Sequence, residues 1–93
     1  MTRAALCQLL RDEARYPRNH VVGNALIDAR RSDAITEEEF QLGATIKSRI
    51  PDMRFRNVGL YGDLWRAAKA DLPKFADLLD GKISDLQLST TLI

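Results

Sequence analysis

The chain has 93 residues, of which 45% are hydrophobic and 29% are charged, and its formal net charge is +1. These values are typical of a globular domain and exclude an intrinsically disordered chain. The near-neutral charge provides no overall attraction to a polyanion, and no apolar run approaches the roughly 20 residues that a transmembrane helix requires.

The N-terminus and the cysteine content predict a cytoplasmic protein with one domain, residues 1–93. The opening stretch MTRAALCQLLRDEARY reaches acidic residues before a signal-peptide core could form. Cys7 is the only cysteine, which excludes a disulfide within the chain and agrees with a reducing compartment.

The apolar spacing in the first third of the chain predicts two helices with a break between them. Thr2 is a candidate cap of the first helix, and Pro17 interrupts the pattern after Tyr16. Asn19 is the candidate cap of the second helix. The two predicted buried stripes are Leu6, Leu9, Leu10 and Ala14 in the first helix, and Val22, Ala25, Leu26 and Ala29 in the second.

The stretch AITEEEF carries the clearest local signal, the start of a third helix. Thr36 and Glu39 have the spacing of a capping box, in which each side chain binds the backbone N–H of the other residue. Ile35 and Phe40 have the spacing of the accompanying hydrophobic staple. This helix is predicted to run to about Arg49, before Pro51, and its initiation explains most of the acidic block at residues 32–46.

Residues 27–50, IDARRSDAITEEEFQLGATIKSRI, resemble the helical hairpin of SHOCT domains. In those short C-terminal oligomerisation modules a helix, a short turn and a helix start of the form IT-x-EEF follow one another. The resemblance covers about a quarter of the chain. It implies a central helical hairpin and is compatible with a homodimer. The same stretch excludes an EF-hand, because RRSDAIT lacks the alternating oxygen ligands and the central glycine of a calcium loop.

Further helices are predicted in the second half of the chain. Asn57 can cap a fourth helix that runs to about Ala70, and the chain is expected to bend at Leu72 before Pro73. A fifth helix, PKFADLLD, would end at Gly81. The final LQLSTTLI has some strand character. The predicted fold class is therefore an all-α compact domain of four to five short helices, with a central hairpin and room for a short extended C-terminal tail.

The residues that catalysis would need are few. His20 is the only histidine, so a Cys7–His20 pair or a Ser–His–acid triad has a single possible base, and the two residues belong to different predicted elements. Cys7 and His20 cannot form a four-ligand zinc site, and no glycine-rich phosphate loop is present. We therefore expect a protein that is not an enzyme and that uses no cofactor or metal.

Two nucleic-acid motifs were considered. VGLYGDLW contains the G-x-x-G spacing of the KH loop, but its inner positions are Leu60 and Tyr61 instead of basic or polar residues. Close helix packing at Gly59 and Gly62 is the competing interpretation. A helix-turn-helix is disfavoured, because the helix that begins at Thr36 would direct three glutamates at DNA phosphates.

The segment MRFRNVGLYGDLWRAAKA, residues 53–70, combines basic and aromatic residues. Its helical spacing places Tyr61 and Trp65 on a stripe expected to pack inside the fold, which leaves the connector MRFRN as the favoured contact region. Arginine and aromatic residues are common anchors of protein interfaces. The predicted partner-binding residues are Arg54, Phe55, Arg56, Arg66, Lys69, Tyr16 and Arg18.

The predicted function is a small non-enzymatic protein-binding module, an inhibitor, adaptor or regulator of the kind that phages and mobile elements also encode. Its arginine-rich patch would occupy the surface of another protein. The alternative is a nucleic-acid-binding accessory protein that uses Arg54, Arg56, Arg66 and Lys69 on phosphates. The terminal Thr91-Leu92-Ile93 matches a class I PDZ ligand, with burial of the apolar tail as the competing interpretation.

Overall fold

The computed structural model describes residues 1–51 and 60–89, and within them the chain forms four α-helices and no β-strand. Helix α1 spans Arg3–Glu13, α2 spans Asn19–Arg31, α3 spans Glu37–Ser48 and α4 spans Leu60–Leu79. The radius of gyration, 12.6 Å, is close to the value of about 13 Å expected for a compact domain of 100 residues. The all-α compact fold predicted from the sequence is confirmed.

The four helices surround one hydrophobic core. α1 packs mainly against α4 and α2 mainly against α3, and contacts between α1 and α2 and between α3 and α4 complete the bundle. The largest fully buried apolar side chains come from all four helices: Leu6, Leu10, Val22, Leu26, Ile46, Leu72 and Phe75. The predicted stripes of α1 and α2 face this core, with Leu9 and Ala14 at its edge.

The beginnings of α1 and α3 are determined by local side-chain caps, as predicted. Thr2 Oγ1 accepts a hydrogen bond from Ala5 N at 3.1 Å. At α3, Thr36 Oγ1 accepts from Glu39 N at 3.2 Å, and Glu39 Oε1 accepts from Thr36 N at 2.9 Å. Both halves of the capping box are therefore formed. Ile35 is buried and Phe40 packs against the core.

The predicted cap of α2 is wrong in its role. Asn19 is the first residue of the helix, and the N-cap position belongs to Arg18, whose side chain makes no capping hydrogen bond. Asn19 Nδ2 instead donates to the carbonyl oxygens of Lys47 and Ile50, at 3.2 and 2.9 Å. Asn19 therefore ties the start of α2 to carbonyl oxygens at the C-terminal end of α3, of which that of Lys47 also accepts from Ile50 N at 2.9 Å.

The predicted break between a fourth and a fifth helix is also wrong, because α4 runs without interruption through Pro73. Proline in a helix interior costs about 3 kcal/mol, since it removes a hydrogen bond and crowds the preceding turn. Phe75 and Leu79 lie beyond Pro73 on the buried face, and burial of each such side chain stabilises by about 1.5–3 kcal/mol. Continuation of the helix is therefore favoured. The predicted cap Asn57 lies outside the described residues.

Close helix packing at glycine occurs in the bundle at Gly43, whereas Gly62, one of the two predicted positions, shows none among the described residues. A Cβ atom built on Gly62 would meet nothing within 4 Å among the described residues, and Gly59 lies outside them. A Cβ atom on Gly43 in α3 would lie 2.6 Å from Leu26 Cδ2 and 3.0 Å from Phe75 Cε2. Gly43 is thus the position at which α3 closely approaches its neighbours.

Gly81 ends α4, as predicted. Its φ of 78° is left-handed, and the N–H groups of Gly81 and Lys82 bind the carbonyl oxygens of Leu78 and Asp77, at 3.2 and 2.9 Å. This is the hydrogen-bond pattern of a Schellman motif. The chain then continues without helix or strand through residues 85–89. Leu86 and Leu88 are partly buried and pack against the core.

Candidate protein-binding surface

An exposed tyrosine and a half-buried tryptophan meet where the connector between α1 and α2 passes α4. Tyr16, in the connector, is 57% exposed. Its ring is edge-on to that of Trp65, with 5.6 Å between ring centroids and 71° between ring planes. Lys69 Nζ lies 4.8 Å from the centroid of Trp65, one helical turn along α4. Tyr16, Trp65 and Lys69 together are called the aromatic patch below.

The conformation of the connector, residues 14–18, depends on a buried acid at the end of α1. Glu13, only 6% exposed, accepts a hydrogen bond from Arg18 N at 3.2 Å and further hydrogen bonds from the Arg18 guanidinium. The hydrogen bonds with Glu13 raise the pKa of Arg18 above its ordinary value. Pro17 is buried between these residues. The hydrogen bonds between Glu13 and Arg18 thus join the two ends of the connector, and Tyr16 between them is exposed.

Arg66 extends the positive charge beside the aromatic patch. Its side chain is 80% exposed, and Nη1 lies 3.5 Å from Asp63 Oδ1. An ion pair with this exposure contributes little to folding. Arg66 precedes Lys69 by three residues, so the two cations are neighbours on the surface of α4.

The structure brings together some of the predicted partner-binding residues. Tyr16 and Lys69 both contact Trp65, and Arg66 is the next residue of α4 and pairs with Asp63. Arg18 is 48% exposed and is held by Glu13. The predicted residues Arg54, Phe55 and Arg56 lie outside the described residues. Trp65 was expected on a packed stripe, and it is only half-buried, in contrast to the fully buried Ala68.

Several arginine side chains join one helix to another. Arg3 in α1 donates to both carboxylate oxygens of Glu39, at 2.8 and 2.5 Å, and Nε donates to Leu79 O at 2.6 Å. Arg11 donates to Asp77 in α4 and to Asp80 directly after it, at 2.9 and 3.2 Å. Arginines of α1 thus pair with Glu39 of the acidic block and with aspartates at the end of the chain's last helix.

A fully buried aspartate in α4 is a polar site that the sequence interpretation missed. Asp71 accepts hydrogen bonds from Ser89 N, at 3.1 Å to each oxygen, and from Ser89 Oγ at 2.7 Å. Arg49 Nη1 lies 3.4 Å from Asp71 Oδ2 and donates to Ser89 O. Helical spacing could have revealed it, because position 71 lies three residues after Ala68 and four before Phe75 on the buried stripe.

The two residues considered for nucleophilic chemistry are not brought together. Cys7 is buried, and its Sγ donates a weak hydrogen bond to Ala76 O at 3.5 Å. Burial raises the pKa of this thiol. His20 is exposed in the first turn of α2. Within residues 1–51 and 60–89, no group of three or more His, Cys, Asp and Glu side chains is placed to hold a metal ion.

No helix among the described residues combines the length and apolar character needed to cross a bilayer. No model of a protein family matches the chain, and neither the curated proteins nor the solved structures include a match. The similarity of residues 27–50 to the SHOCT hairpin therefore remains a local resemblance.

Proposed function

We propose that the protein is a small, cytoplasmic, non-enzymatic binding module that acts by occupying a surface of a partner protein. The observation that carries this proposal is the aromatic patch, in which exposed Tyr16 lies edge-on to Trp65 and Lys69 lies over the Trp65 ring. Tyrosine, tryptophan and arginine supply most of the binding energy at protein interfaces. The class of inhibitor, adaptor or regulator, and an origin in a phage or mobile element, belong to the same proposal.

The way in which Tyr16 is presented supports this proposal. The Glu13–Arg18 interaction holds both ends of the connector, so the ring does not need to be ordered at the moment of association. A side chain that is held before binding loses less conformational entropy in the complex. Arg66, together with Arg54 and Arg56 from the segment MRFRN, would supply the cationic rim of the interface.

The hairpin prediction is part of this proposal. Two contacts support an antiparallel pair of α2 and α3. Asn19 Nδ2, at the start of α2, donates to Ile50 O after α3 at 2.9 Å, and Arg30 Nε, near the end of α2, donates to Glu37 Oε2 at the start of α3 at 3.0 Å. We propose that this pair is the central helical hairpin on which α1 and α4 present the aromatic patch. A homodimer is compatible with this arrangement.

The test is affinity capture from a nuclease-treated lysate of the source cells. The wild-type chain and the matched control Lys74→Glu should recover the same stoichiometric protein, because Lys74 is exposed on α4 outside the patch. Tyr16→Ala and Lys69→Glu should lose it while their circular dichroism stays that of a folded helical protein. Equal recovery by all four chains would reject the aromatic patch as the binding surface.

Contact with nucleic acid through Arg54, Arg56, Arg66 and Lys69 is the alternative, and salt separates the two functions. Binding of DNA or RNA weakens steeply with salt, with a slope set by the number of phosphates contacted. We expect no binding of a labelled single-stranded oligonucleotide at physiological salt. Binding that falls steeply between low and physiological salt, and that Arg66→Glu reduces, would favour the nucleic-acid function instead.

A further inference from the structure

The segment after α4, residues 83–89, lies against the helical bundle without regular secondary structure. Its apolar contacts are modest, since Leu86 and Leu88 are only partly buried, and Ser84, Asp85 and Gln87 are exposed. The segment is therefore not held in place by a deeply buried side chain of its own. This segment is called the strap below.

The hydrogen bonds between the strap and the helices converge on one residue. Among the described residues, Ser89 makes all of them: its N–H and hydroxyl donate to Asp71, and its carbonyl oxygen accepts from Arg49. The other side-chain hydrogen bond in the strap is local, from Leu86 N to Asp85 at 2.9 Å. Asp71 is fully buried, so the far end of the strap is joined to the interior of the bundle.

The other end of the strap is a turn of well-defined geometry. Gly81 adopts a left-handed conformation that other residues rarely adopt, and the Schellman hydrogen bonds to Asp77 and Leu78 end there. The strap thus begins at a well-defined turn at residues 81–82, and its polar attachment to the helices within residues 1–51 and 60–89 is made by Ser89. A segment attached at two points can leave the surface as a unit when one attachment is lost.

We propose that residues 83–89 form a releasable strap, which Asp71 latches through Ser89 and which, when open, exposes the apolar surface beneath Leu86 and Leu88. A buried carboxylate whose hydrogen-bond donors leave becomes unsatisfied, and this cost holds the latch closed. Because hydrogen bonds to a charged group are strong, loss of the latch converts a mostly closed strap into a mostly open one. Loss of only one of the two Ser89 donors gives an intermediate population of the open strap.

Backbone order of the strap is the direct measurement, by ¹⁵N relaxation of the complete chain. In the wild type we expect order parameters at residues 86–88 near the value of about 0.85 typical of rigid backbone. Ser89→Ala removes the hydroxyl, and Ser89→Pro removes both the hydroxyl and the N–H donor. We expect these variants to lower the order parameters stepwise, to below about 0.6 in Ser89→Pro.

Three further measurements complete the test. Ser84→Ala is the matched control, an exposed serine of the same strap, and should leave the order parameters unchanged. Asp71→Asn should accelerate exchange of the Ser89 amide hydrogen by about tenfold or more, because the charged acceptor is lost. Binding of an anilinonaphthalene dye, which reports exposed apolar surface, should rise with the loss of strap order.

Two results would overturn the proposal. Strap order that is unchanged in both Ser89 variants would mean that Leu86 and Leu88 hold the segment without the latch. Loss of order that extends through α4 to the same degree would mean that the strap is part of the cooperative core. Ser89 is only partly buried, so its variants are expected to fold. They therefore test the proposal even if Asp71→Asn does not fold.

Discussion

Arg3 and Glu39 form a paired hydrogen bond between the start of α1 and the first turn of α3, at 2.8 and 2.5 Å. The same carboxylate closes the capping box by accepting a hydrogen bond from Thr36 N. One glutamate therefore both initiates a helix and joins two helices. The hydrogen bonds from Arg3 hold the pKa of Glu39 below the ordinary value of 4.5.

The Arg3–Glu39 pair should make stability depend on acid. Because the folded pKa of Glu39 is depressed, its contribution is complete above pH 4.5 and is lost as the pH falls through the folded pKa. Arg3→Gln should lower the free energy of unfolding by about 1–2 kcal/mol at pH 7, after allowance for partial exposure. Urea denaturation at pH 7 and pH 3 measures this difference, which should shrink at pH 3. The control Lys74→Gln should show no such pH dependence.

Substitution by alanine should change the free energy of unfolding in opposite directions at Gly43 and Gly62. Gly43→Ala forces a methyl group against Leu26 and Phe75, so overpacking should reduce the free energy of unfolding by about 1–3 kcal/mol. A methyl group at Gly62 meets no atom within 4 Å in the part of the chain that the structure describes, so Gly62→Ala should raise the free energy of unfolding by up to about 1 kcal/mol. Thermal or urea denaturation of both variants checks the pair. Similar effects of the two substitutions would contradict the packing described at Gly43.

Glu13 should hold Tyr16 in contact with Trp65 in the aromatic patch. Trp65 is the single tryptophan of the chain, so its fluorescence reports on the patch alone. Glu13→Gln removes the charge that holds Arg18, and the connector should then release Tyr16 from Trp65. We expect acrylamide to quench Trp65 more strongly than in the wild type. Asp12→Asn, a change to an exposed acid one residue earlier, should not alter quenching.

Cys7 should be unreactive in the folded protein. It is 2% exposed, and burial raises the pKa of its thiol, so both access and thiolate formation are suppressed. At pH 8, labelling with a thiol-reactive disulfide reagent should be slower by at least about a hundredfold than in urea, since it requires opening of the α1–α4 contact. Rapid labelling of the native protein would show that Cys7 is accessible.

Local signals predicted the beginnings of helices well. Thr2 and Thr36 both act as caps, and Ile35 and Leu6 are buried as their apolar spacing indicated. These features depend on residues within one or two turns of each other, so the sequence contains all the partners involved. Asn19 shows the limit: its amide was predicted to cap its own helix and instead binds carbonyl groups 28 and 31 residues away.

Contacts between residues that are distant in the sequence decided the features that the sequence did not predict. Local chemistry at Leu72–Pro73 favours a bend, but α4 continues through Pro73, and burial of Phe75 and Leu79 beyond it is of a size that offsets the cost of the proline. The predicted binding residues Tyr16 and Lys69 are 53 residues apart, and only the packing of the connector against α4 places both beside Trp65.

The sequence by itself determined that this protein is an all-α domain, because helix caps and apolar stripes are local patterns of 3.6-residue period. Only the tertiary structure decided the ion pairs between helices and the close packing at Gly43. It also decided the hydrogen bonds between Asp71 and Ser89. Those outcomes depend on which distant residues the folded chain brings within hydrogen-bond distance, and no spacing along the sequence encodes that distance directly.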